Sequence, residues 1–195
     1  MDIALTDEQL ALRTEIRHYM ERLMTPALVA ELHGEQREGG GPEHRRALRQ
    51  MGADGWIVRS WPKEYGGQNA GPIEQYIFCD EVIRAGFPYP FLTTDGVGPV
   101  LAEVASEEIR REIVDPILKG ECIVAIGYSE PAAGTDLASL TTRAERKGDK
   151  WLINGQKIWT SYGNVADYVW LAARTDPHAA KKHHGISMFL VPTSA

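Results

Sequence analysis

Lys119-Gly120-Glu121-Cys122-Ile123-Val124-Ala125-Ile126-Gly127-Tyr128 marks the point where the periodicity of the chain changes. Before Gly120, apolar residues recur at helical spacing between Gly and Pro punctuation. Thr6 followed by Gln9 forms a capping-box pattern, and Leu10, Ile16, Met20 and Leu23 then line one stripe of a first amphipathic helix. Further helices are predicted over 43–53, 72–85, 91–104 and 106–119, with Ile73, Tyr76, Ile77, Cys79 and Ile83 as the buried face of the second of these. The triple glycine within 35–42 suits a mobile surface loop better than a phosphate cradle. After Gly120 the pieces ECIVAIGY, TTRAER, WLING, QKIWTSY, DYVWLAAR and GISMFLV are short and rich in β-branched and aromatic residues, with Gly148-Asp149 as a hairpin turn. The expected fold class is α+β: a helical domain over 1–120, then an antiparallel β-domain over 121–195. The last predicted strand runs directly into Ala195, so that second domain is expected to be incomplete.

Composition narrows the function. Lys plus Arg number 21 against 27 Asp plus Glu, a net charge of −6, which supplies no general field for nucleic acid or an anionic membrane. Cys79 and Cys122 lie in unrelated apolar stretches without CxxC spacing and read as buried free thiols. His178, His183 and His184 lack a carboxylate or cysteine at a useful spacing and read as hydrated loop residues, so no metal is expected. Charges interrupt the apolar pattern of the first twenty residues, unlike a signal peptide or spanning helix, and the expected location is cytoplasmic.

Two stretches carry chemistry. In Gly127-Tyr128-Ser129-Glu130-Pro131-Ala132-Ala133-Gly134-Thr135-Asp136-Leu137-Ala138-Ser139, a strand enters a turn whose small residues let a flat ligand approach the backbone, while Ser129 and Thr135 add hydroxyls. From residues alone this is also an ordinary polar turn. The second stretch is Asn154-Gly155-Gln156-Lys157-Ile158-Trp159-Thr160-Ser161. A tryptophan in a strand is more often core than ligand contact.

Taken together, these stretches resemble the signature loop and the NGxKxWxT/S strand of acyl-CoA dehydrogenases, and PKEYGG at 62–67 and the helical first part agree. The resemblance covers the whole chain but about half of a usual subunit, with the family's C-terminal helical domain missing. Tyr128 departs from the family's usual aliphatic residue. The resemblance implies FAD as cofactor. It places Ile126, Gly127, Tyr128 and Ser129 along the flavin, Trp159 against the isoalloxazine, Ser161 near N5 with Thr160 as the alternative donor, and Thr135 on the acyl-CoA. The segment around Thr94 and Gly96 would border the acyl pocket, where the glycines leave space either for substrate or for close helix packing. The family's catalytic base is a glutamate of the later helical domain, so none is expected within these residues; Glu130 and Asp136 are assigned structural roles.

The implied reaction is α,β-dehydrogenation of an acyl-CoA, with electrons passed to an electron-transfer flavoprotein. The wording of 91–99, GYSEP and ADYVWLAARTDP looks closest to actinobacterial subunits acting on steroid side-chain CoA thioesters. The subunit is expected to form homo- or hetero-oligomers. Two alternatives stay open: a non-catalytic companion subunit, and a flavin monooxygenase or oxidase of the same fold.

Overall fold

The structure is a computed structural model that describes residues 4–195. The chain divides into two compact units, Met1–Cys122 and Ile123–Ala195.

The first unit is helical. Helix α1 (Asp7–Leu23) starts at the capping box: Gln9 N–H donates to Thr6 Oγ1 and Thr6 N–H to Gln9 Oε1. It buries Ile16, Tyr19, Met20 and Leu23, whereas Leu10, expected on the same stripe, is 46% exposed. Helices α2 (Pro26–His33) and α3 (Pro42–Ala53) follow. Glu31 caps α3 by accepting from the Glu43 and His44 amides, and Gly40 N–H donates to His44 Nδ1. The 35–42 loop is thereby pinned at its C-terminal end rather than hanging free.

Helix α4 (Pro72–Arg84) corrects the expected face. It buries Ile77, Phe78, Glu81 and Val82, while Ile73, Tyr76 and Ile83 are exposed and Cys79 lies at the margin. The acidic Glu81 belongs inside because Arg17 of α1 donates to both its oxygens, at 3.0 and 2.9 Å. Over the predicted 91–104 helix the structure has a π-helical turn, Leu92–Val97, followed by α5 (Gly98–Val104). A Cβ on Gly98 would lie 2.5 Å from the Trp61 ring, whose Nε1–H donates to Thr94 O at 2.6 Å, so Gly98 answers to close packing. The 106–119 segment comprises α6 (Glu107–Ile109), a second π-helical turn (Arg110–Val114) and α7 (Asp115–Leu118).

The second unit is a five-stranded sheet of β1 (Val124–Gly127), β2 (Arg143–Lys147), β3 (Lys150–Asn154), β4 (Tyr168–Arg174) and β5 (Ile186–Pro192). The α+β class stands, and the pairing is mixed. β2–β3 and β4–β5 are antiparallel, but β1 runs parallel to β4 with Ile126 opposite Trp170, and β2 meets β4 in parallel at Arg143 and Arg174. QKIWTSY, expected as a strand, forms none: after Asn154 the chain leaves the sheet and passes through a turn at 161–165 before β4. Among the described residues no helix is long and apolar enough to cross a membrane, and no group of three or more His, Cys, Asp or Glu is placed to hold a metal ion.

Candidate functional site

The candidate site lies in the second unit, where the end of β1 meets the segment that follows β3. Gly155 permits the crossing, because a Cβ there would lie 2.6 Å from Thr142 Cα. Two adjacent hydrogen bonds then join the segments: Lys157 Nζ donates to Tyr128 O at 3.0 Å, and Ile158 N–H donates to Ser129 O at 2.9 Å. Beyond this junction Trp159 takes a left-handed backbone conformation, φ 58°, and its side chain is almost wholly in solvent, at 88% exposure. A large residue held in that region costs about 1–3 kcal/mol, and such strain clusters at functional sites. Tyr162 is also left-handed, and its carbonyl accepts from Val165 and Ala166, closing the turn.

The loop after Ser129 is organised by one buried carboxylate. Glu130 Oε2 accepts from the Thr141 amide at 2.6 Å and the Thr141 hydroxyl at 2.7 Å; Oε1 accepts from the Thr142 amide and from Lys157 Nζ, each at 2.9 Å. Glu130 and Ala133 also exchange both backbone bonds. Burial disfavours the Glu130 charge, but the bonds from Thr142, Lys157 and Thr141 outweigh it and hold the carboxyl well below the usual range. With both oxygens engaged, Glu130 is a strut. Asp136 accepts from the Ser139 hydroxyl and caps its own exposed turn.

The Tyr128 ring packs against Ala133, Leu140 and Ala172, and its hydroxyl accepts from Trp170 Nε1 at 3.1 Å. The departure from an aliphatic residue therefore has a local partner beneath the loop. Arg174 supports the far end by donating to Ala138 O at 2.7 Å, to Leu140 O and to Lys182 O.

The hydroxyls of Ser129, Thr135, Thr160 and Ser161 bond to no other described residue. Ser129 and Thr160 are half-buried; Thr135 and Ser161 are exposed. Ser129 and the Trp159–Ser161 turn are thus brought together by the Lys157 and Ile158 bonds, with donors left for a ligand. Gly127 and Ile126 lie within β1 behind them. In the first unit Thr94 is only 2% exposed, and its hydroxyl donates to Asp95 Oδ2 and Pro90 O, so it is turned inward; Gly96 is exposed. The residues that motif reading left without a role are Lys157, Thr141, Thr142 and Arg174. Lys157 stood inside a quoted motif, but nothing in its spacing to Tyr128 signals their contact.

The model of the acyl-CoA dehydrogenase N-terminal domain matches residues 6–121, and that of the acyl-CoA dehydrogenase middle domain matches residues 125–195. The chain belongs to the acyl-CoA dehydrogenase family. Acyl-CoA dehydrogenase FadE26 of Mycobacterium tuberculosis is 49% identical over 198 residues, covering 100% of this chain and 50% of that protein. The solved Tcur3481-Tcur3483 steroid ACAD matches with TM-score 0.89 at 50% identity, over 100% of this chain and 50% of the matched chain. The ChsE4-ChsE5 complex from Mycobacterium tuberculosis matches with TM-score 0.86 at 48% identity, over 100% of this chain and 49% of its own. This acyl-CoA dehydrogenase chain therefore spans about half the length of the relatives it matches.

Proposed function

We propose that the chain supplies the flavin-binding wall of an FAD-dependent acyl-CoA dehydrogenase acting on a steroid side-chain CoA thioester, in assembly with like or unlike dehydrogenase subunits. The observation that carries this reading is the ledge made by Ser129 and the Trp159–Ser161 turn: an exposed aromatic ring beside unpaired hydroxyls, on two segments fastened together. The residues fit a flavin. Trp159 offers a flat face for the isoalloxazine, the hydroxyls of Ser129 and of Ser161 or Thr160 are donors for its pyrimidine edge and N5, and Ala132 and Gly134 keep the approach low. When bound, FAD supplies the acceptor for the hydride that leaves the acyl β-carbon. The chain's own groups hold that ring, shield it from water and present hydrogen-bond donors where negative charge develops. Thr135, exposed and unpaired, is proposed as a contact to the acyl-CoA. The base that takes the α-proton is proposed to lie outside 1–195, and an electron-transfer flavoprotein to reoxidise the enzyme.

The reading requires the full-length protein, expressed with its partner, to bind FAD and show a flavin spectrum; a preparation that stays colourless after reconstitution with FAD would overturn it. Trp159→Ala is expected to weaken FAD binding by about 1–3 kcal/mol, the scale of one aromatic stacking partner. Titration of the apoprotein with FAD measures this, and an unchanged affinity would take Trp159 off the ring. For Ser161→Ala the expected result is flavin reduction slowed about 10–100-fold with little loss of folding stability, since a hydrogen bond to a charged group is worth roughly 1.5–3 kcal/mol. Stopped-flow reduction compares it with Thr160→Ala. Slowing confined to the threonine variant would move the N5 donor by one residue.

A second reading is a companion subunit whose active site depends on an unlike partner. It is favoured by the description of two similar structures as two-component assemblies, Tcur3481-Tcur3483 and ChsE4-ChsE5. Bleaching of flavin by substrate in the full-length subunit purified alone would exclude it.

A further inference from the structure

We propose that Lys157 is a positioning residue for the flavin ledge, holding Trp159 and the neighbouring hydroxyls in register with Ser129 through its bond to the Tyr128 carbonyl. This rests on the flavin reading above. The alternative is that Lys157 serves only to neutralise buried Glu130.

The geometry gives the ammonium two tasks. Its side chain is 10% exposed, and Nζ reaches Glu130 Oε1 at 2.9 Å and Tyr128 O at 3.0 Å. The next residue repeats the connection, with Ile158 N–H on Ser129 O. Two adjacent bonds fix the angle between segments, whereas a single bond acts as a pivot. Trp159 follows directly, in a strained left-handed conformation with its side chain in solvent, so the placement of its ring depends on the anchor immediately before it. The lysine stem passes over Gly127, where a Cβ would be in ordinary van der Waals contact with Lys157 Cγ at 3.6 Å and would clash instead with Val169 Cγ1 at 2.9 Å.

The test uses the full-length protein with its partner and two variants. In Glu130→Gln/Lys157→Met both charges are gone, so no unpaired ion is buried, but Tyr128 O has lost its donor. Glu130→Gln alone removes the ion pair and keeps Lys157 available to Tyr128. FAD dissociation constants, the flavin midpoint potential and apoprotein melting are measured for each. The double variant is expected to bind FAD at least about tenfold more weakly, the loss of one charge-assisted hydrogen bond. Its preference for reduced flavin should fall about tenfold, a potential roughly 30 mV more negative, because the donors that stabilise the reduced ring are no longer held. Glu130→Gln alone should stay within about threefold of wild type in FAD affinity, whatever its melting temperature. The proposal is overturned if the double variant keeps wild-type affinity and potential, or if Glu130→Gln alone weakens FAD as much as the double. A wild-type protein that takes up no FAD removes the flavin reading and this proposal with it, an outcome distinct from either of those.

Discussion

Glu130→Gln is expected to destabilise the second unit by about 3 kcal/mol at neutral pH, the lower end for breaking a buried ion pair, because Lys157 keeps a little of its side chain in solvent. The loss has two sources. The lysine charge loses its counter-ion, and the amide nitrogen of glutamine must face one of the donors on Thr141 or Thr142 that the carboxylate now accepts from. The pH dependence separates this from a simple packing defect. The folded-state pKa of Glu130 is depressed, so its contribution to stability is fully present above the ordinary carboxylate value of about 4.3 and is lost as pH falls below that toward the folded value. Wild type and variant should therefore differ by a constant amount from pH 7 down to about 5 and converge as the pH is lowered further. Urea unfolding followed across that range measures it. A gap that stays the same down to pH 3 would show that the ionised form of Glu130 is not what the loop depends on.

The parts of this fold that are local in sequence were legible there. A capping box at Thr6 and Gln9 depends on residues three apart, and a turn at Gly148 with φ 67° depends on one glycine; both formed as read. The change from helix to strand also lies where the apolar period changes, between α7 and β1. Parallel pairing of β1 with β4 joins residues more than forty positions apart, and alternation of apolar residues carries no information about strand direction. At the candidate site the motifs delivered Ser129, Trp159, Thr160 and Ser161 as residue types. The left-handed backbone at Trp159 was hidden, since a tryptophan flanked by Ile158 and Thr160 carries the local preferences of a strand. Lys157 was hidden for a different reason: its partners, Tyr128 and Glu130, come from another segment, and only the folded chain shows that one ammonium serves both.

Phe78→Ala is expected to cost about 3–5 kcal/mol, the usual range for removing a buried phenylalanine ring. The size of the loss depends on which face of α4 is inside. Residues 73, 76, 77, 78, 79, 82 and 83 are all apolar, so the helix is apolar around most of its circumference and periodicity alone does not select a face. Tertiary partners select it instead. Arg17 draws Glu81 inward, and Phe78, one turn earlier, then lies stacked on Trp56 with ring centroids 6.2 Å apart and edge-on to Tyr89 at 5.3 Å. Phe78 is 1% exposed, whereas Tyr76, expected on the buried face from sequence, is 59% exposed. Removing the Phe78 ring leaves Trp56 and Tyr89 facing a void whose rigid walls cannot close it, so the cavity cost adds to the lost burial. Tyr76→Ala, with most of its ring in solvent, should stay within about 0.5 kcal/mol of wild type. Urea unfolding of the 195-residue chain provides the comparison: a chain that tolerates loss of Phe78 but unfolds on loss of Tyr76 would mean that α4 is rotated from the position described, with Glu81 and Arg17 no longer paired.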